Sequence, residues 1–338
     1  MRKNTPGTRG LAAKLAGLML GIGLALVIVY TVCVLSWPSP GPILPPAGEV
    51  VEGDAPFRFA VLGDNRKNVP VLEEILDRIK ADKVSFILHT GDIVQNATQG
   101  EFDWVVHELH EQKLGIPLCV VPGNHDVEED KQNTAERCAH YTRAFGPRQY
   151  WFACANTLFV AFDDSTARCT PDDLHWLDRT LGRLRDRYDA CFVYMHVPPR
   201  DPRPGRNHAL DEGADELITI MKKHRVSAVF AGHIHTYLED RTDGIPVFIT
   251  GGAGATRVEP LGPYHYLLCT VKRDGSFAVE KRDVPVEYSG FDTDFLERNL
   301  RVKASQNVIL LTGVGFLSVW FVLNFRRSSK RHRGEQSS

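Results

Sequence analysis

Five apolar runs in this chain, each long enough for one buried strand, end on short polar stretches rich in oxygen and nitrogen donors. Residues 57–62 run into Gly63-Asp64-Asn65-Arg66, and 84–88 into His89-Thr90-Gly91-Asp92. Residues 116–121 lead to Pro122-Gly123-Asn124-His125-Asp126, 191–195 to His196, and 226–231 to Gly232-His233-Ile234-His235. Parallel strands of an open α/β sheet bring their carboxyl ends to one edge, so side chains distant in sequence meet there. The chain is therefore expected to be layered, with its chemistry on a rim.

The intervening segments agree. Val69, Leu72, Ile75, Leu76 and Ile79 recur at helical spacing and predict a helix over 69–81. Further helices are predicted over 101–114, 170–187 and 211–224, the second of these opened by a Thr170 cap and Pro171 in its first turn. Residues 150–154 and 157–162 flank Ala155-Asn156 as the arms of a hairpin. Strands over 247–250, 264–271 and 277–279 then follow one another without helices. Alternation early and strands in succession late predict an α/β architecture with mixed sheets.

Asp64, Asp92, Asn124, His196, His233 and His235 are the strand-end donors. Such a set suits a two-metal hydrolytic centre: a carboxylate has two oxygens and can bridge two ions, whereas an imidazole offers one lone pair to one ion. Taken singly, Gly-Asp is a turn, and one histidine among 13 is ordinarily a surface or core residue. Their order and shared placement carry the inference.

In that order, Gly-Asp, Gly-Asp, Gly-Asn-His-Asp, a lone His after a strand and Gly-His-x-His, the motifs resemble those of the calcineurin-like metallophosphoesterases, which include purple acid phosphatases. The resemblance covers about residues 57–279. It implies a four-layer α-β-β-α sandwich of two mixed β-sheets with a binuclear centre of manganese, iron or zinc at the sheet edge. It also implies that Asp64, Asp92 and His235 hold the first ion, that Asp92, Asn124, His196 and His233 hold the second, and that Asp92 bridges them. His125 would assist the departing oxygen, kept protonated by Asp126 beside it. The implied reaction is hydrolysis of a phosphate mono- or diester by a hydroxide bridging the two ions.

One position departs from the pattern. Where the family commonly has D-x-H, this chain has Asp64-Asn65-Arg66, and arginine cannot coordinate because it stays protonated. Gln95 likewise stands where purple acid phosphatases have a tyrosine. The first position then has fewer protein ligands, with water or a shifted Asn65 in the gap. Arg66, with Asn65, is assigned to substrate binding, because a forked guanidinium suits a phosphate oxygen. The competing reading of Arg66 is decay of the chemistry, leaving a receptor or scaffold at the membrane. Retention of Asp64, Asp92, Asn124, His125, His196, His233 and His235 stands against it.

The ends of the chain differ in character from its middle. Residues 15–37 and 308–325 carry no charge, the first long enough to span a bilayer as a helix and the second at the lower edge of that length. Four basic residues precede the first run and five follow the second, so both termini are expected in the cytoplasm and the middle outside it, in periplasm, lumen or extracellular space. The first run exceeds a signal-peptide core, and Val34-Leu35-Ser36-Trp37-Pro38 lacks a small-residue cleavage site, so an uncleaved anchor is expected. The expected organisation is a basic tail (1–14), a transmembrane helix (15–37), a Pro-rich linker (38–55), the catalytic domain (56–286), a stem (287–306), a second transmembrane helix (307–325) and a basic tail (326–338).

Without those nine terminal basic residues and Glu335, the chain has 31 basic against 41 acidic residues, a balance of −10 that is no trap for nucleic acid. The expected partners are a phosphate ester and a membrane. The two-span layout is similar to that of eukaryotic enzymes that trim phosphoethanolamine from glycolipid anchors, which implies a lipid-linked ester; a soluble nucleotide or phosphoprotein is equally compatible. Of the cysteines outside the first span, Cys138, Cys154 and Cys169 lie in the more polar surroundings and are the candidates for disulfides.

Overall fold

Two sheets face each other through a layer of phenylalanines. In one, β2 (Phe57–Leu62), β3 (Ile87–His89) and β4 (Leu118–Val120) are parallel neighbours, extended antiparallel by β11 (Tyr264–Val271) and β12 (Phe277–Val284) in the order β12-β11-β2-β3-β4. The other runs β1 (Val50–Val51), β5 (Tyr150–Cys154), β6 (Thr157–Ala161), β7 (Ala190–Tyr194), β8 (Ala228–Ala231), β10 (Ile245–Thr250) and β9 (Tyr237–Thr242), antiparallel at β5/β6 and β10/β9. The computed structural model describes residues 41–285 except 52, 67 and 129–133, together with six helical positions between 17 and 25. The described residues from Gly41 onward belong to one compact unit, Pro40–Gly290.

Phe59 stacks on Phe86 at 5.3 Å, and Phe152 and Phe159 from the opposite sheet meet Phe86 edge-on at 5.1 and 4.9 Å. Phe192 and Phe230 complete the layer against Phe59, each at 5.7 Å. Each ring is fully buried and contributes about 2–3 kcal/mol through the area it removes from water. On its outer face the larger sheet offers Leu158, Val160, Val193 and Val229 to Leu177 and Leu181 of α5 (Pro171–Leu184) and to Leu217 and Met221 of α6 (Ala214–Lys223).

Helix α5 begins as the sequence predicts: the Thr170 hydroxyl accepts from the Asp173 N–H, and the Asp173 carboxylate accepts in return from the Thr170 N–H. Helix α1 (Val69–Ala81) buries Leu72, Ile75, Leu76 and Ile79 along one stripe and packs against β11. Helix α2 (Gln99–Glu111) buries Phe102, Val105, Val106 and Leu109.

Several features differ from the sequence reading. From Gly41 onward, the described part of the Pro-rich linker lies along the domain: the Ile43 N–H donates to Ala144 O, the Gly48 N–H donates to Trp151 O, and β1 pairs with β5. Helices α3 (Thr134–Arg137) and α4 (Ala139–Phe145) and the edge strand β9 are additional. Cys138, Cys154 and Cys169 form no disulfide; all six described cysteines are free and buried. Cys154 belongs to the layer between the sheets and Cys169 to the opposite, helix-covered face, which separates those two thiols. Among the described residues no helix is long and apolar enough to cross a membrane. The predicted spans at 15–37 and 307–325, the stem and both tails lie outside the described residues, apart from the six positions noted.

Candidate metal centre

Register places the donors. Leu62 pairs with His89 and His89 with Val120, so β2, β3 and β4 end at one level and deliver Asp64, Asp92 and Asn124 to the same rim. Across the phenylalanine layer, Tyr194 pairs with Phe230, and the turns after β7 and β8 deliver His196, His233 and His235. The backbone is bent hard to do this. Asp64, Asp92 and His233 have φ of 61°, 57° and 66°, a left-handed conformation that non-glycine residues seldom adopt outside sites that demand it.

Two glycines admit the approach. A Cβ on Gly123 would lie 2.3 Å from Asp92 Oδ1, and one on Gly232 would lie 2.5 Å from Asp64 Oδ2. The first and last motifs are joined directly, because the His233 N–H points between both oxygens of Asp64 at 3.1 Å.

Four donors converge on one point. His196 Nε2 lies 3.0 Å from Asn124 Oδ1, 3.2 Å from His233 Nδ1 and 3.3 Å from Asp92 Oδ1, and His233 Nδ1 lies 3.0 Å from Asn124 Oδ1. Ligands about 2.1 Å from a common ion stand roughly 3.0–3.4 Å from each other, so this spacing is that of a coordination shell. His196 donates its Nδ1 proton to the Thr90 carbonyl at 2.8 Å, which turns Nε2 to the shared point.

Asp64, Asp92 and His235 form a second group, with one donor atom from each within 4.8 Å of the others. His235 Nδ1 donates to Thr256 O at 2.8 Å, and its buried Nε2, 3.5 Å from Asp64 Oδ1, makes no hydrogen bond. An orphaned buried nitrogen facing two carboxylates is what a metal ligand looks like without its metal. The residues therefore fit a two-metal site.

The electrostatics favour a cation. Burial alone would lower the pKa of His196, but Asp92, Asp64 and Asp164 outweigh it and hold it above the ordinary histidine value. Burial likewise raises Asp92, yet His196, Arg66 and His125 keep its carboxyl below the usual range. Burial, with the charges of His196 and His208, drives His233 down to about 2, leaving a neutral imidazole with a lone pair to give.

The remaining predicted residues are placed less uniformly. The His125 N–H donates to Asp92 Oδ1 at 2.9 Å, and its ring Nδ1 donates to Gln95 O at 2.7 Å, which leaves Nε2 for another partner. Asp126 does not partner His125. It is fully buried, and it accepts the N–H groups of Gly123, Ile93 and Val94 at 2.8, 3.2 and 2.9 Å, tying the Asn124 loop to the Asp92 loop. Burial and the charge of Asp92 push its carboxyl up to about 7.

Asn65 is fully buried as well, donating to Ile93 O at 3.1 Å and facing His89 Nε2 at 2.8 Å, so its amide is turned into the protein and not toward a substrate. Arg66 lies against Asp92 Oδ2, with Nη2 at 2.9 Å and Nε at 3.1 Å. Asp164 went unnoticed in the sequence. It accepts the N–H groups of His196 and Val197 at 2.8 and 2.9 Å, and its one sequence signal is that Asp163-Asp164-Ser165 follows an apolar run, as the other strand-end motifs do.

Residues 57–237, more than half of the chain, match the calcineurin-like phosphoesterase family, and the chain belongs to that family. Its relatives are phosphodiesterases and phosphatases, and the family implies a dimetal centre. It is 25% identical over 173 residues to a probable glycerophosphodiester phosphodiesterase of Arcobacter nitrofigilis, covering 45% of this chain and 57% of that protein. It is 26% identical over 223 residues to purple acid phosphatase 21 of Arabidopsis thaliana, covering 60% of this chain and 51% of that protein. The chain thus spans little more than half the length of these relatives. The fold is similar to that of a purple acid phosphatase from yellow lupin seeds, with a TM-score of 0.55 at 14% identity over 68% of this chain and 52% of that one.

Proposed function

We propose that this chain hydrolyses phosphate mono- or diesters at a binuclear metal centre, and that a membrane anchor presents the catalytic domain outside the cytoplasm. The observation that carries the enzymatic reading is the convergence of six donors from two sheets, three from each, with the His196 and His235 rings oriented by carbonyls on their far sides. Asp64, Asp92 and His235 would hold one ion, and Asp92, Asn124, His196 and His233 the other; manganese, iron and zinc all suit this mixed oxygen and nitrogen set. When bound, such ions supply Lewis acidity and an acidified water for attack on phosphorus.

The chain's own residues then position and protonate. His125 is held by Gln95 O through Nδ1 and presents Nε2 for a proton to the departing alkoxide. A cavity of about 500 Å³ lined by Arg203, Arg206, Asn207, His208, Val258 and Glu259 adjoins the centre, with the His208 ring 4.3 Å from that of His233. Arg200 and Arg203 are tied to Asp215 and Asp201, so within this loop Arg206 is the cation placed to meet the body of an anionic ester, lipid-linked or soluble.

The membrane reading is supported by the two uncharged apolar stretches and the basic residues outside them. Two experiments test the whole. Metal analysis of the purified full chain, with hydrolysis of aryl phosphate mono- and diesters under manganese, zinc or iron, is expected to give bound metal and turnover; less than one metal with no hydrolysis sinks the enzyme. Protease protection of tags at both ends in sealed membranes is expected to place both inside, and recovery of the chain in the soluble fraction defeats the anchor.

A further inference from the structure

The two oxygens of Asp92 face different cations. Oδ1 lies 3.3 Å from His196 Nε2, in the group with Asn124 and His233, and accepts the His125 N–H at 2.9 Å. Oδ2 carries the guanidinium of Arg66, which donates to that single oxygen through Nε at 3.1 Å and Nη2 at 2.9 Å. Arg66 is fixed there by its own backbone as well: its N–H donates to Asp92 O at 3.0 Å, and its φ is 48°. Asp92 is fully buried and the Arg66 side chain is 18% exposed, so water screens this pair little.

We propose that Arg66 makes the two metal positions unequal by holding Asp92 Oδ2, the oxygen that the Asn124–His196–His233 group leaves over, so that the Asp64–Asp92–His235 position binds metal only when the guanidinium is displaced. The inference rests on the metal-centre reading given above. The Asn124–His196–His233 position has four donor atoms, including Asp92 Oδ1, and Arg66 bonds to none of them. The Asp64–Asp92–His235 position has three donors, one of which is already paired with a fixed positive charge. A guanidinium does not deprotonate in any accessible pH range, so it cannot yield by losing its charge and must move off the carboxylate. Meanwhile a divalent ion arriving beside it meets a like charge in a poorly screened site.

This assigns Arg66 a role different from holding substrate: it acts on metal loading, through Asp92. The test is Mn²⁺ binding to the full chain, measured by calorimetry and by metal analysis after equilibrium dialysis, with electron paramagnetic resonance to distinguish isolated from spin-coupled ions. The wild type is expected to bind one Mn²⁺ at least tenfold more tightly than the second and to show an uncoupled spectrum at one equivalent. Arg66→Gln and Arg66→Ala are expected to tighten the second step at least fivefold while leaving the first within twofold, and His196→Ala to remove the tight step. Two equal steps in the wild type, or a second step unchanged or weakened in both Arg66 variants, overturns the inference and leaves the phosphoesterase reading standing. Failure of the wild type to bind any Mn²⁺ overturns the metal centre itself.

Discussion

The carboxylate of Asp164 holds the main chain of His196, accepting its N–H at 2.8 Å and that of Val197 at 2.9 Å. Burial pushes this carboxyl up to about 7, so the group is held where it is poorly solvated and works as an acceptor for buried backbone. Asp164→Ala leaves both N–H groups unpaired and is expected to cost roughly 2–4 kcal/mol in chemical denaturation. Because His196 is set by this contact, metal affinity should fall too, and Asp164→Asn, which keeps one acceptor, should fall between. Unchanged stability in the alanine variant would deny the contact its importance.

His125 and Asp126 are neighbours with separate duties. His125→Ala is expected to lower kcat by roughly 10²–10³ with metal content intact, as loss of a proton donor does. Asp126→Ala orphans three backbone N–H groups and is expected to show chiefly as lost stability, on the order of 3 kcal/mol or more. Asp92→Ala should lose metal and turnover together. Metal analysis of the three variants beside their denaturation curves separates these outcomes, and equal metal loss in His125→Ala and Asp92→Ala would refute the division.

Gly123 has no room for a methyl group, since its Cβ would lie 2.4 Å from the Asp92 N and 2.9 Å from His196 Cε1. Gly123→Ala is expected to cost about 1–3 kcal/mol by overpacking and to reduce bound metal to less than half. Retention of full metal content would show that the loop can yield.

His265 is a buried histidine outside the donor set. Its Nδ1 donates to Pro263 O at 3.1 Å, its Nε2 has no partner, and burial lowers its pKa to about 4. The unfolded chain therefore binds a proton near pH 6.5 that the folded chain refuses until about pH 4. The stability its neutral ring contributes is complete above 6.5 and is lost as the pH falls toward 4, by about 3 kcal/mol in all. His265→Phe should lose less stability than the wild type over that interval, whatever its absolute stability. An identical pH slope in the two proteins would remove His265 as the cause.

The strand-end donors were legible because each sits one to four residues beyond an apolar run, and periodicity alone locates such runs. Mixed sheets were legible from the change from alternation to successive strands. What was hidden is what depends on partners. Nothing in Asp163-Asp164-Ser165 distinguishes a polar turn from a brace for His196, and Asp126 beside His125 suggests a pair that the backbone in fact points apart. Strand β9 carries Glu239, Asp240 and Arg241 on a half-exposed edge, which erases its apolar signal. Arg66 read as a free cation because its carboxylate partner lies 26 residues away.

The phenylalanine layer has a consequence beyond holding the sheets together. Asp64, Asp92 and Asn124 ride on one sheet, and the three histidines ride on the other, so the gap across the site is a caliper setting whose spacer is the thickness of the rings from Phe59 to Phe230. A substitution that thinned this spacer would touch no donor, yet it would change the ion radius that the jaws accept.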